Sequence, residues 1–255
     1  MTLQALSRET HQNLRLRTPP EQWSFARGRM IAGLVAPELT EVIKSMPMAF
    51  TVQGEQANLV ALMGLGQQNL FVGPAGQWLG PYIPAVLRAW PFALMKQGEQ
   101  RVVAINADSD AVSTEEGELL FGEDGEPGER LQRTVQFLQS FSDQEIVMGR
   151  AVEAIRKAGL LVPWELTVNP RDGASINLTG LYQVDRAAFE ALDDAGFLDL
   201  RKAGALPVVY AHVFSQRNVS VLEQLARRAP AAQLAEQAEP TLPAMPEFTD
   251  DYLKF

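Results

Sequence analysis

Apolar positions along this chain change their spacing several times, and each change marks an element. Residues 1–24 show no clear period and read as an arm, with Trp23 and Phe25 holding its end to the body. Residues 26–46 mix apolar and charged positions at roughly helical spacing, with Pro37 as an interruption or a helix start. Two short apolar runs follow at 48–52 and 57–65, joined by Gln53-Gly54-Glu55-Gln56, which suits a hairpin connection. Residues 69–72 read as a further strand closed by Gly73-Pro74-Ala75-Gly76. Pro84 suits a first helical turn that continues to Ala89 and stops at Pro91. Residues 92–96 and 101–107 then predict a second hairpin around Gln97-Gly98-Glu99.

The strongest helical signal covers 129–158. Leu131, Val135, Leu138, Phe141, Ile146, Met148, Val152 and Ile155 recur at short helical steps, with Glu129 at the start and Arg156-Lys157 at the end. Gly159 is the expected terminator, and Ser142-Asp143 a point where the helix divides and is capped again. Strands are expected at 160–168 and 175–184 around a turn at 169–173. Asp185 caps a short helix carrying Phe189 and Leu192; Asp193 or Asp194 caps another carrying Phe197, Leu198 and Leu200, ending at Gly204. Residues 208–229 read as the final helix. The order defines a mixed α+β class: a β-rich N-terminal part with short helices, a long central helix, two strands and a helical end. The expected organisation is an arm (1–24), one body (25–228, or two lobes joined near 129–158) and a flexible tail (229–255). That tail is rich in Pro, Ala, Glu and Gln yet ends with Phe248, Tyr252, Leu253 and Phe255.

Composition adds exclusions. An apolar fraction of 46% supports a sizeable core, and no apolar run has the length of a membrane span. No cysteine is present, so disulfides, thiolate metal sites and cysteine nucleophiles are out, and a cytoplasmic setting is expected. The net charge of −9 argues against nucleic acid as a partner. Its placement is informative. Nine acidic residues lie between Asp108 and Glu129 with no Lys or Arg among them, so the rest of the chain is formally neutral.

Candidate chemistry is sparse. His11 and His212 are the only histidines, and Asn13 and Phe214 stand where an iron facial triad wants an acid. His212 lies in an apolar run, where a buried, hydrogen-bonded role is the expectation and a catalytic or pH-sensing role the alternative. Asp108 and Asp110 open like a calcium loop, but Val112, Ser113 and Leu119 break the motif. Glu123, Asp124 and Glu126 remain as an acidic turn, read as a solvated loop or one meeting a basic partner, with a cation site the lesser reading. Gly64-Leu65-Gly66 does not extend into a nucleotide fingerprint, and no nucleophile elbow occurs. Trp78, Tyr82 and Trp90, with Arg88 among them, read as core cover or as the wall of a peptide or ligand cleft.

Several strings resemble the bacterial SapC family. They are Leu59-Val60-Ala61-Leu62-Met63-Gly64-Leu65, Asn69-Leu70-Phe71-Val72, Tyr82-Ile83-Pro84-Ala85-Val86-Leu87-Arg88-Ala89-Trp90-Pro91-Phe92, the 117–127 stretch around Phe121, Leu178 to Asp185, and Gly204 to His212. The resemblance runs from about 25 to 228. Where members often carry a cysteine followed by Ile-Asp, this chain reads Ala104-Ile105-Asn106-Ala107-Asp108. The family name, from a surface-layer component, implies an assembly association and transfers no catalytic residue. The resulting expectation is a non-catalytic binding or assembly protein with a protein or peptide partner and no cofactor or metal, its oligomeric state left open. Trp78, Tyr82, Arg88, Trp90, Tyr182 and His212 are the candidate contact residues. An enzyme or accessory subunit acting on a peptide or aromatic substrate is the first alternative. A surface-layer component exported through Asp250-Asp251-Tyr252-Leu253-Lys254-Phe255 is the second.

Overall fold

The computed structural model describes residues 3–97, 100–171 and 174–229. The predicted turns at Gly98-Glu99 and Asp172-Gly173, the tail and its proposed export signal lie outside the described residues. In chain order the elements are β1 (Gln4–Ala5), α1 (Arg8–His11), β2 (Arg15–Leu16), β3 (Ile31–Gly33), α2 (Leu39–Val42), β4 (Met48–Gln53), β5 (Gln56–Leu62), β6 (Gly64–Leu65) and β7 (Gln68–Asn69). There follow α3 (Ala85–Arg88), β8 (Phe92–Gln97), β9 (Gln100–Ile105), β10 (Val112–Ser113), β11 (Glu118–Leu119), α4 (Glu129–Lys157), β12 (Leu161–Arg171) and β13 (Ala174–Val184). The chain closes with α5 (Arg186–Glu190), α6 (Asp194–Lys202), α7 (Ala205–Ser215) and α8 (Val219–Arg228). Helices and antiparallel sheets make this an α+β protein. Its described residues form two compact units, 3–22 with 86–143 and 23–85 with 144–229.

The first unit holds two small sheets, ordered β1-β9-β8 and β10-β2-β11. Residues 1–24 therefore differ from the arm that their lack of period predicts. Gln4 and Ala5 pair with Ile105 and Ala104, and Arg15 and Leu16 pair with both β10 and β11. Two-residue strands are too short to show alternation, and partners about a hundred positions away define them. The early arginines also organise the acidic stretch. Arg15 donates to the Gly117 carbonyl at 3.1 Å and Arg17 to that of Asp110 at 2.8 Å. Gly117, at φ +108°, leaves no room for a Cβ beside the Leu16 carbonyl. Leu16, Phe92, Ile105, Leu120, Leu131 and Leu138 form the core of this unit.

The second unit is built on a five-stranded antiparallel sheet, ordered β12-β13-β4-β5-β3. The β4–β5 hairpin closes through Gln53↔Gln56 with Gly54 at φ +58°, as its turn residues predict. The 26–46 region departs from its helical reading: it contains β3, a 3₁₀ turn with Pro37 in its first turn, and only then the four-residue α2. The strand expected at 69–72 is shorter, with β7 ending at Asn69 and Val72 in an isolated bridge to Trp78. Caps are where the sequence places them. Asp185 accepts from the Ala188 N–H and Asp193 from the Gly196 N–H, while Gly159 and Gly204 adopt positive φ.

Two helices differ from expectation. α4 runs unbroken for 29 residues. Ser142 does not cap a second half, because its hydroxyl accepts from the Arg101 guanidinium on β9. Conversely, 208–229 is not one helix: α7 begins earlier, at Ala205, and a 3₁₀ turn at Gln216–Asn218 separates it from α8.

Candidate functional site

The polar seam under α7 explains where His212 goes. His212, Ser215 and Asn218 recur at three-residue steps and are buried. The Ser215 hydroxyl accepts from the Met48 N–H at 2.9 Å, and His212 Nδ1 meets the Met48 carbonyl at 3.1 Å. His212 Nε2 accepts from the Val184 N–H at 3.3 Å, so Nδ1 carries the proton and donates to Met48. Asn218 donates to the carbonyls of Ile43 and Met46. One imidazole thus bridges the start of β4 and the end of β13, packed 5.0 Å from Phe50 and 6.0 Å from Trp164. Burial pushes its pKa down to about 4, because a cation there would lose its hydration. With both nitrogens engaged and no exposed surface, this histidine acts as a structural clamp.

The other candidate residues are distributed over both units. Trp78 is half-buried, stacked on Phe71 at 5.6 Å and edge-on to Trp23 at 5.9 Å, and its Nε1–H donates to the Tyr82 carbonyl. The Tyr82 hydroxyl donates to Glu38 at 3.0 Å. These two are brought together in the second unit. Tyr182, half-buried on β13, is in register with Phe50. Arg88 and Trp90 belong to the first unit, with the Arg88 guanidinium 5.3 Å from the Phe137 ring centre. Glu123, Asp124 and Glu126 occupy a closed turn. Asp124 accepts from the Glu126 N–H at 3.0 Å, Phe121 bridges to Pro127, and a Cβ on Gly125 would collide with the Arg8 guanidinium. Among the described residues no group of three or more His, Asp or Glu side chains is placed to hold a metal ion.

Sequence reasoning passes over Glu38, which is buried and accepts from the Val35 and Ala85 N–H groups as well as from Tyr82. Its partners lie up to 47 positions away, so no local pattern announces it.

Two open surfaces complete the picture. On the second unit, α7 is apolar on every side. Its inner face buries Ala205, Val208, Val209, Ala211 and His212, and its outer face leaves Tyr210 44% and Phe214 59% exposed. Tyr210 stacks with Phe214 at 6.4 Å and stands edge-on to Phe189 of α5 at 5.8 Å, while Phe189 meets Phe197 of α6 at 6.1 Å. Phe197 and Leu198 are each 40% exposed, beside a groove of about 460 Å³ also lined by Glu190, Asp194 and Arg201. Sequence reasoning passes over this surface, reading the run Val208 to Phe214 as buried; a helix with no polar face in it is the signal that could have marked it. On the first unit, a groove of similar volume is lined by Arg88, Glu118, Arg130, Arg133, Thr134 and Phe137.

The architecture is that of an α+β protein carrying an aromatic ladder on its C-terminal helices. The family model for SapC matches residues 6–222, and the chain belongs to the SapC family. No curated protein matches it, and no solved structure does. Among the described residues no helix is long and apolar enough to cross a membrane.

Proposed function

We propose that this SapC-family chain is a non-catalytic binding or assembly protein that docks a protein partner through the aromatic ladder of α5, α6 and α7. The observation supporting this reading is the outer face of α7. A helix apolar all round belongs in an interior, yet Tyr210 and Phe214 stand in water in line with Phe189, Phe197 and Leu198. Contiguous exposed apolar surface on a folded protein marks interaction sites, and aromatic side chains dominate the energetics of such interfaces. His212, the one histidine of the helix, is spent on the fold.

Affinity capture from native lysate with the full chain, beside a Tyr210→Ser/Phe214→Ser variant, tests the reading. The wild type should recover one protein at near-equal stoichiometry and the variant should lose it while melting at the same temperature. Equal recovery by both, or substrate turnover by the purified chain alone, overturns it.

A further inference from the structure

The groove on the first unit has chemistry of another kind, and every side chain lining it belongs to that unit. Its volume of about 460 Å³ lies within the roughly 300–1,000 Å³ typical of small-molecule sites. Arg88, Arg130 and Arg133 line it with three guanidinium groups against one carboxylate, Glu118. Arg130 and Arg133 stand three positions apart on α4 and so share a face of the helix. Arg130 gives one side-chain N–H to the Leu16 carbonyl at 3.5 Å, and Arg133 gives one to Glu129 at 2.6 Å. A guanidinium carries five donors in a planar fork, so both retain capacity for an anion. The Arg133–Glu129 pair is exposed on both sides and yields to a better-placed anion at little cost.

Charge and shape select the ligand. With Glu118 on the wall and Glu129 paired to Arg133, three cations less two anions leave a local charge of +1. That balances one carboxylate and falls short of a phosphate monoester, which carries about −1.5 to −2. A carboxylate is also planar and matches the guanidinium fork two bonds at a time. The Arg88 guanidinium lies 5.3 Å from the Phe137 ring centre, and Phe137 lies 6.3 Å from the ring of Phe141. A flat cation over an aromatic ring is a platform on which a further ring can stack. We propose that the Arg88–Arg130–Arg133 groove is a binding site for a small aryl carboxylate. Its carboxylate sits on Arg130 and Arg133 and its ring on the Arg88–Phe137 floor. The groove beside the aromatic ladder does not take this ligand, since Glu190 and Asp194 outnumber Arg201 on its wall and repel the anion. The site is thus separate from the docking surface proposed for a protein partner.

Titration of the full chain with 2-naphthoate, followed by ligand-observed NMR, tests the site. Saturable binding with a Kd at or below about 1 mM is expected, from the efficiency usual for a ligand of this size. Three analogues separate the contributions. The neutral 2-naphthamide and the saturated decalin-2-carboxylate should each bind more weakly, and 2-naphthyl phosphate should bind no tighter than the carboxylate. Arg130→Gln/Arg133→Gln should weaken 2-naphthoate at least about tenfold, and Phe137→Leu about threefold, with circular dichroism confirming that each variant is folded. Phe137→Leu should leave decalin-2-carboxylate unaffected, a selectivity that general damage to the fold would not produce. Absence of saturable binding overturns the proposal, as does affinity indifferent to the arginine changes. Tighter binding of the naphthyl phosphate overturns the carboxylate assignment. Tyr210→Ser/Phe214→Ser should leave 2-naphthoate binding unchanged, so this proposal and the partner-docking one fail separately.

Discussion

The inner and outer faces of α7 are similarly apolar, and only the inner one is buried. Inside, Val208, Val209 and Ala211 lie buried, and the seam of His212 and Ser215 satisfies both backbone groups of Met48. Outside, Tyr210 stacks on Phe214 and stands edge-on to Phe189, and the two rings stay 44% and 59% exposed. The contrast teaches that a buried polar residue and an exposed apolar one carry opposite messages. The first is accounted for by hydrogen bonds within the fold, and the second has no such account among the described residues.

The contrast can be broken most severely at His212. His212→Ala leaves the Val184 N–H and the Met48 carbonyl without their side-chain partner and opens space beside Phe50 and Trp164. The expected cost is about 4 kcal/mol in urea unfolding at pH 7. A smaller effect comes from pH. Burial holds the folded His212 neutral, with its pKa down at about 4 against 6.5 for the free side chain, so the unfolded chain takes up the proton first. Its stabilising contribution is complete above pH 6.5 and is lost as the pH falls toward 4. Between pH 7 and pH 5 that amounts to about 2 kcal/mol, a slope that His212→Gln should remove when unfolding curves at the two values are compared. The outer face should show the smallest effect. Phe214→Ser should change stability by less than about 0.5 kcal/mol, and a loss of several kcal/mol in thermal or urea melts would move Phe214 into the folding core.

Legibility follows sequence separation. The caps at Asp185 and Asp193, the terminators Gly159 and Gly204, and the Gln53–Gln56 hairpin are local devices, and each is readable in a window of a few residues. The strands at Gln4–Ala5 and Arg15–Leu16 exist only because β9, β10 and β11 supply partners, so the first residues looked like an arm. Ser142 reads as a cap within a local window, but its hydroxyl accepts from Arg101, 41 positions away. For the candidate residues, aromatic density drew attention to Trp78 and Tyr82, whose contact is four residues apart and local. The exposed ladder needs α5, α6 and α7 to be brought side by side, and composition cannot say which face of an all-apolar helix is left bare.

That bare face also has a thermal consequence. Rings standing in water organise a hydration shell whose release is favoured by entropy near room temperature and carries a negative heat-capacity change. Any complex formed through the Phe189–Tyr210–Phe214 ladder therefore draws its strength partly from the solvent. It loosens in the cold, when that contribution fades, while the hydrogen-bonded seam on the other side of the same helix holds.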